Sequence, residues 1–234
     1  MSSRGRQSLY FLIYGAPGVG KTTLTFHLAA HMARCGLRVA ISPQGEFPVA
    51  DAPHAEGNGA HAAGTVTILP PLTSATAGRP TGEHDLCLAI APADVASVAA
   101  VAVEADGLVL LATPLDDDLI EAYAALKRLA AALAAPRLWL VITQASSRRE
   151  ALETSQRFRR TAERFLGVSV EDGGRFDADA LVAQAEQEHV ALAEHSPHSR
   201  AGRQVAEIAR RLLLEPVQGG RRDGLWERVA RLFA

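Results

Sequence analysis

Residues 15 to 22 read Gly-Ala-Pro-Gly-Val-Gly-Lys-Thr, a run whose residue types and spacing suit one kind of chemistry, the cradling of phosphate. Gly15, Gly18 and Gly20 leave the backbone free to turn its N–H groups inward. Lys21 is long enough to reach terminal phosphates, and the Thr22 hydroxyl stands where a helix would start and can hold Mg2+. Ala16, Pro17, Val19 and Thr23 complete the stretch expected to touch a bound nucleotide, ATP or ADP. Amino-acid usage adds weight, because Lys21 and Lys127 are the only lysines among 24 basic residues. A chain that otherwise uses arginine carries lysine where a compact ammonium fits and a forked guanidinium does not.

Other reactive residue types are present in weaker patterns. His27 and His31 lie one helical turn apart, a spacing that can grip a metal ion, but no carboxylate or cysteine accompanies them, so packing or surface exposure is the expected role. In Thr113-Pro114-Leu115-Asp116-Asp117-Asp118 the aspartates are expected to cap a helix and favour its positive end, with a metal role as the lesser alternative. Cys35 and Cys87 stand alone in apolar surroundings, which argues against a disulfide framework or zinc site and suits a reducing cytosol.

Hydrophobic periodicity predicts the elements that position these residues. Apolar runs at Leu9–Tyr14, Leu37–Ser42, Leu86–Ala91, Leu108–Thr113 and Leu138–Thr143 predict buried strands, and 20–35, 94–105, 116–134 and 147–166 predict helices. Strands apolar throughout, alternating with helices, belong to a sheet covered on both faces. The expected fold is therefore α/β, a doubly wound, mostly parallel sheet with the phosphate loop between its first strand and first helix. Gly36 after the first helix and Gly107 before a strand mark boundaries. Residues 42–82 form an insertion rich in Gly, Ala, Pro, Ser and His, with a strand expected only at Thr65–Leu69; such a segment is a functional lid or a disordered stretch. Gly167 to Asp179 is a second soft segment, followed by helices through about Glu188 and over Ser199–Leu214.

A chain of 234 residues, 48% of them hydrophobic, can bury one sizeable core. Residues 1–216 are expected to form one nucleotide-binding domain and 217–234 a separate tail. A formal net charge of -2 gives no general basic face of the kind nucleic acid needs. Arg4 and Arg6 precede Leu9–Tyr14 as in an export signal, but that run is too short, and no run is long enough to span a membrane. The expected location is cytoplasmic, with any membrane contact peripheral and made by the tail. There Leu225, Trp226, Val229, Leu232 and Phe233 follow helical spacing on one face, Arg228 and Arg231 lie toward the other, and Arg221-Arg222 precede them. From Ser199 onward eight arginines stand against four acidic residues. Such a helix suits an anionic membrane interface, with docking on the domain's own surface as the alternative.

Four stretches carry a family likeness: Gly-Val-Gly-Lys-Thr-Thr-Leu-Thr-Phe-His-Leu-Ala with Gly-Leu-Arg-Val-Ala-Ile; Ala-Thr-Pro-Leu followed by Glu121-Ala122-Tyr123; Arg157 to Gly167, with Phe158, Arg164, Phe165 and Leu166; and Ser196-Pro197-His198-Ser199-Arg200-Ala201 leading into Ile208-Ala209-Arg210-Arg211-Leu212. Through them the chain resembles, from Tyr10 to Leu214, the MinD/ParA family of dimerising ATPases, most closely its flagellar-number branch, FlhG or FleN. Against that family's pattern Ala16 replaces a second loop lysine that reaches the partner subunit's nucleotide. Ser42 replaces an aspartate serving metal and water, Ile90 and Ala91 stand in place of the Walker B aspartate, and Thr143, with Gln144 beside it, replaces an adenine-reading asparagine. Asp94 lies a few residues beyond Ala91 and is a candidate for reaching a Mg2+-bound water, helix capping being the simpler role.

The resemblance implies an ATP-binding regulator whose nucleotide state governs homodimerisation and membrane residence, with flagellar or division-site proteins as partners. Phosphoryl transfer depends on a positioned water and on neutralised charge, so losing two carboxylates lowers turnover more than binding. Slow hydrolysis is expected, with Lys21 as the phosphate-contacting catalytic group. The alternative is a pseudo-ATPase scaffold that binds a protein partner. A small-molecule kinase is disfavoured by the lack of an arginine-rich lid, and an AAA-type motor by the lack of a strand ending in Asp-Glu.

Overall fold

The computed structural model describes residues 8–44, 64–71, 84–92, 98, 102, 104–130 and 137–214. Among them, seven strands form one sheet: β1 (Leu9–Gly15), β2 (Arg38–Ser42), β3 (Thr65–Ile68), β4 (Leu86–Ile90), β5 (Gly107–Ala112), β6 (Arg137–Thr143) and β7 (Glu171–Phe176). Their order is β3-β2-β4-β1-β5-β6-β7, and every pairing is parallel. The helices are α1 (Lys21–Arg34), α2 (Asp116–Ala130), α3 (Arg148–Leu166), α4 (Ala180–Gln187), α5 (Leu192–His195) and α6 (Arg200–Leu214).

Alternation along β1 shows why its strand is apolar throughout. Leu9, Phe11 and Ile13 pack with Leu24, Leu28 and Met32 of α1 and Val205, Ile208 and Leu212 of α6. Tyr10, Leu12 and Tyr14 point the other way, into a cluster with Ala125 and Leu126 of α2 and Phe158 and Ala162 of α3. A strand between two others with helices on both faces has no solvent side, and each large side chain buried there contributes about 1.5–3 kcal/mol.

The expected strands and helices fall within a residue or two of these bounds wherever they are described. Local chemistry accounts for the helix ends: Ser147 accepts from Glu150 N–H at 3.1 Å while the Glu150 carboxylate accepts from Ser146 N–H at 2.7 Å, and Gly167 closes α3 at φ 65. Two local expectations need correction. The soft segment 167–179 contains β7, a strand without an apolar run, whose pairing shifts register between Leu140 and Val141. Gly107 is the first residue of β5 rather than a boundary before it, and packing demands it. Residues 45–63 and 72–83 of the insertion, most of the helix expected at 94–105, and the tail 217–234 lie outside the described residues.

The open edge of β7 is blunted by one of its own side chains and one from α6. The Asp172 carboxylate accepts from Gly174 N–H at 3.0 Å, and Arg211 Nη1 donates to the Asp172 carbonyl at 2.8 Å, which removes hydrogen-bonding groups that another strand would use.

Two predictions follow from this packing. A Cβ on Gly107 would lie 2.4 Å from Trp139 Cζ3 and 3.0 Å from Phe11 Cδ1, inside an edge-to-face pair with ring centroids 5.5 Å apart. Gly107→Ala should lower stability by about 1–3 kcal/mol in urea unfolding; an unchanged midpoint would show that the rings yield freely. His27 is fully buried. Its Nδ1 accepts from Leu192 N–H at 3.3 Å and its Nε2 has no partner among the described residues. Burial pushes its pKa down from 6.5 to about 4. Between those values the unfolded chain binds the extra proton, so this group's stabilisation is complete above the unfolded value and is lost as pH falls toward about 4, by about 3 kcal/mol. Urea titrations across this range should show that slope, and His27→Leu should flatten it.

Candidate functional site

β1 lies where the chain order reverses, with β4 on one side and β5 on the other. The crossover from β1 runs toward β2 and the one from its neighbour β5 runs the other way toward β6, and adjacent strands whose crossovers part like this open a crevice at the carboxyl edge of the sheet, where ligands of such folds sit. Residues 16–20 cross this edge and lead into α1. Gly18 and Gly20 have φ of 82 and 87, a left-handed conformation that side chains disfavour and that turns backbone N–H groups toward the crevice. Gly20 offers no side-chain cap, and the first turn of α1 contains no acidic residue. Its leading N–H groups and the positive end of the helix are left for an anion.

The side chains around this turn are arranged for the same ligand. Lys21 Nζ donates to the carbonyls of Gly15 at 2.6 Å and Ala16 at 2.7 Å, which uses two of its three hydrogens and leaves one for phosphate. Burial lowers its pKa, and the negative charge of Glu121 on α2 works against that. The same carboxylate reinforces burial in raising the Tyr14 phenol. Thr22 is half-buried, and Thr23 donates its hydroxyl proton to Glu186 of α4. Ala16 and Val19 are buried, while Pro17 and Gly18 are exposed, so the loop is anchored at two points and presents its tip.

The end of β6 holds the loop from beside it. Thr143 Oγ1 donates to the Val19 carbonyl at 2.8 Å and Gln144 Nε2 to the Gly18 carbonyl at 2.7 Å. Gln144 adopts φ 56 and its own N–H donates to the Phe176 carbonyl at 2.9 Å, fastening the turn to β7. These two residues, singled out as occupants of a base-reading position, therefore brace the phosphate loop. Glu186 escaped the sequence reading, since its partner Thr23 is 163 positions away. Glu121 was visible only as part of a family-like stretch.

Among the described residues, no carboxylate stands at the ends of β2 and β4. Ser42, which closes β2, is buried and donates to the Pro70 carbonyl at 2.8 Å; Ile90 and Ala91 at the end of β4 are buried and apolar. Asp94 lies outside the described residues. Among the described residues no cluster of three or more His, Cys, Asp or Glu can hold a metal ion. His27 faces Phe26 and Phe176, and His31 Nε2 lies 3.9 Å from Cys35 Sγ. The aspartate triplet starts α2: Asp118 accepts from the Thr113 hydroxyl, which accepts from Leu115 N–H at 3.2 Å, and Asp116 pairs with Arg157 at 2.9 Å. Mg2+ commonly keeps several waters and takes phosphate oxygens with one or two protein oxygens. The Thr22 hydroxyl fits that need at the start of α1, and no described carboxylate at the ends of β2 or β4 adds a second ligand or a base for water.

No family model matches the sequence, and no curated protein matches it. Solved structures do resemble the fold. The MinD cell division protein of Aquifex aeolicus superposes with a TM-score of 0.66 at 15% identity, over 92% of this chain and 100% of that one. The septum site-determining protein MinD of Pyrococcus horikoshii, complexed with Mg-ADP, gives 0.64 at 16% identity over 88% and 95%. A ParA family ATPase from Chlorobium tepidum gives 0.61 at 12% identity over 87% and 98%. The seven-stranded parallel sheet, its flanking helices and the loop after its central strand thus make up the fold of the MinD and ParA ATPases.

Proposed function

We propose that this chain is an ATP- and ADP-binding regulator of the MinD/ParA type, nearest in role to the FlhG/FleN branch. Its nucleotide state would set self-association and membrane residence, and through them the placement or number of a flagellar or other surface machine. One observation carries the nucleotide part: the uncapped first turn of α1, with Lys21 and Thr22, stands at the carboxyl edge beside the central strand. Similar structures are a MinD complexed with Mg-ADP, a McdA with ATP, and a MinD in complex with MinC, which supports nucleotide, Mg2+ and a protein partner for this chain as well. Leu115 and Ile120, just beyond β5 on the same edge, are 67% and 65% exposed, an apolar pair that a second copy would cover. With Ala16 in the loop, such a homodimer forms without a lysine crossing to the partner's phosphates.

The apolar ends of β2 and β4 favour slow hydrolysis, and they equally favour a second reading, a pseudo-ATPase scaffold that keeps nucleotide without turning it over. Calorimetry with ATP and ADP, run beside a phosphate-release assay, tests both. Lys21→Ala should abolish binding, a loss of roughly 100-fold or more, while the wild-type chain binds and hydrolyses slowly. Rapid Mg2+-dependent turnover that survives Asp94→Ala would defeat the expectation of slow hydrolysis, and failure of the wild-type chain to bind either nucleotide would defeat the proposal itself.

Among the described residues no helix is long and apolar enough to cross a membrane, so membrane residence rests on the sequence of 221–234. So short an amphipathic segment binds weakly alone and usefully when two are presented together. Sedimentation with anionic vesicles should recover the full chain with ATP and leave a chain ending at Gln218 in the supernatant. Equal recovery of the two, with or without nucleotide, would assign the tail to packing or partner binding.

A further inference from the structure

Beside the open edge of β7, helices α3 and α6 flank an open cavity of about 330 Å3, within the size range of small-ligand sites. The carboxylates around it are already engaged. Arg211 holds Asp172 at 2.7 Å and Glu207 at 2.8 Å, and Arg210 holds Glu207 at 2.7 Å. At the carboxyl end of β7, Asp177 accepts from Arg175 and Gln204, each at 2.7 Å, and from Arg200. With these neighbours counted, five guanidiniums stand against three carboxylates.

Two of these arginines line the cavity with donors to spare. Arg148 opens α3 and makes no side-chain hydrogen bond or ion pair among the described residues, whereas its neighbour Arg149 is paired with Glu153 at 2.8 Å. Arg175 uses only its Nη1, so the rest of its planar donor set is open. Ala151 and Leu152 line the same cavity, and Leu152 is 48% exposed. A strand from another protein is a poor occupant, because the β7 backbone groups at Asp172 and Gly174 are already satisfied. Open guanidiniums fork carboxylate and phosphate oxygens, and a leucine beside them accepts hydrocarbon.

We propose that this cavity is a second anion site, separate from the phosphate loop, which takes a small organic carboxylate or phosphate between Arg148 and Arg175 with its hydrocarbon part against Leu152. The test uses the full chain carrying Lys21→Ala, so that the phosphate loop does not contribute. Phenyl phosphate and phenylacetate serve as probes, with inorganic phosphate as the control, and binding is followed through the arginine Nε–H signals in NMR. Saturable binding of one or both organic probes in the millimolar range is expected, and which of the two binds better identifies the headgroup. Arg148→Glu should weaken it by about tenfold or more, and Leu152→Ser should weaken the organic probes while sparing inorganic phosphate. Circular dichroism of each variant checks that the fold is kept. Absence of saturation with both probes, or affinity unchanged in a folded Arg148→Glu chain, would overturn the proposal.

Discussion

The first turn of α1 begins the helix with N–H groups that no described side chain caps, and much of the architecture serves to hold it open. Helices α3 and α4 are capped by side chains: Ser147 and Glu150 close the start of α3, and Asp179 accepts from Leu181 N–H at 3.0 Å at the start of α4. At α1 a left-handed glycine replaces the usual cap, at a cost of a few tenths of a kcal/mol relative to serine or aspartate. A capping carboxylate there would occupy the anion's position and repel it. The stability lost at the turn is supplied by burial of Leu24, Leu28 and Met32 against β1, and the exposed loop is kept in shape by hydrogen bonds from Thr143 and Gln144. Rigid support of this kind matters because backbone amides stabilise phosphate well only when already oriented.

The groups around the loop that suit holding a phosphate are distinct from those that cleaving one requires. The carboxylates that act on the loop come from helices, Glu121 through its field on Lys21 and Glu186 through its bond to Thr23. Both act on groups of the protein itself. The ends of β2 and β4, which flank the loop's own strand on one side, bear serine, isoleucine and alanine. Binding draws on amides, ammonium and hydroxyl, whereas hydrolysis also needs a group that orients water and balances charge in the transition state. The two demands are met by different residues, so a sequence can lose one set and keep the other.

The interior strands were legible because a strand covered on both faces must be apolar at every position, and such runs stand out at Leu9–Tyr14 and Leu138–Thr143. The phosphate loop was legible because its chemistry is confined to eight consecutive residues. Strand β7 was not, since an edge strand reading Glu-Asp-Gly-Gly-Arg-Phe carries no apolar signature and owes its place to pairing with β6. Nor did the sequence disclose that Gly107 makes room for Trp139, that Gln144 braces Gly18, or that Asp177 is buried and gathers Arg175, Arg200 and Gln204. By itself the sequence determined which segments are strands and helices with buried faces and which turn can cradle phosphate, because burial pattern and backbone freedom are local properties of the chain. Only the tertiary structure decided which side chains meet across the carboxyl edge and beside β7, because those meetings depend on the order of the strands and the seating of the crossover helices, to which residues far apart in the chain contribute together.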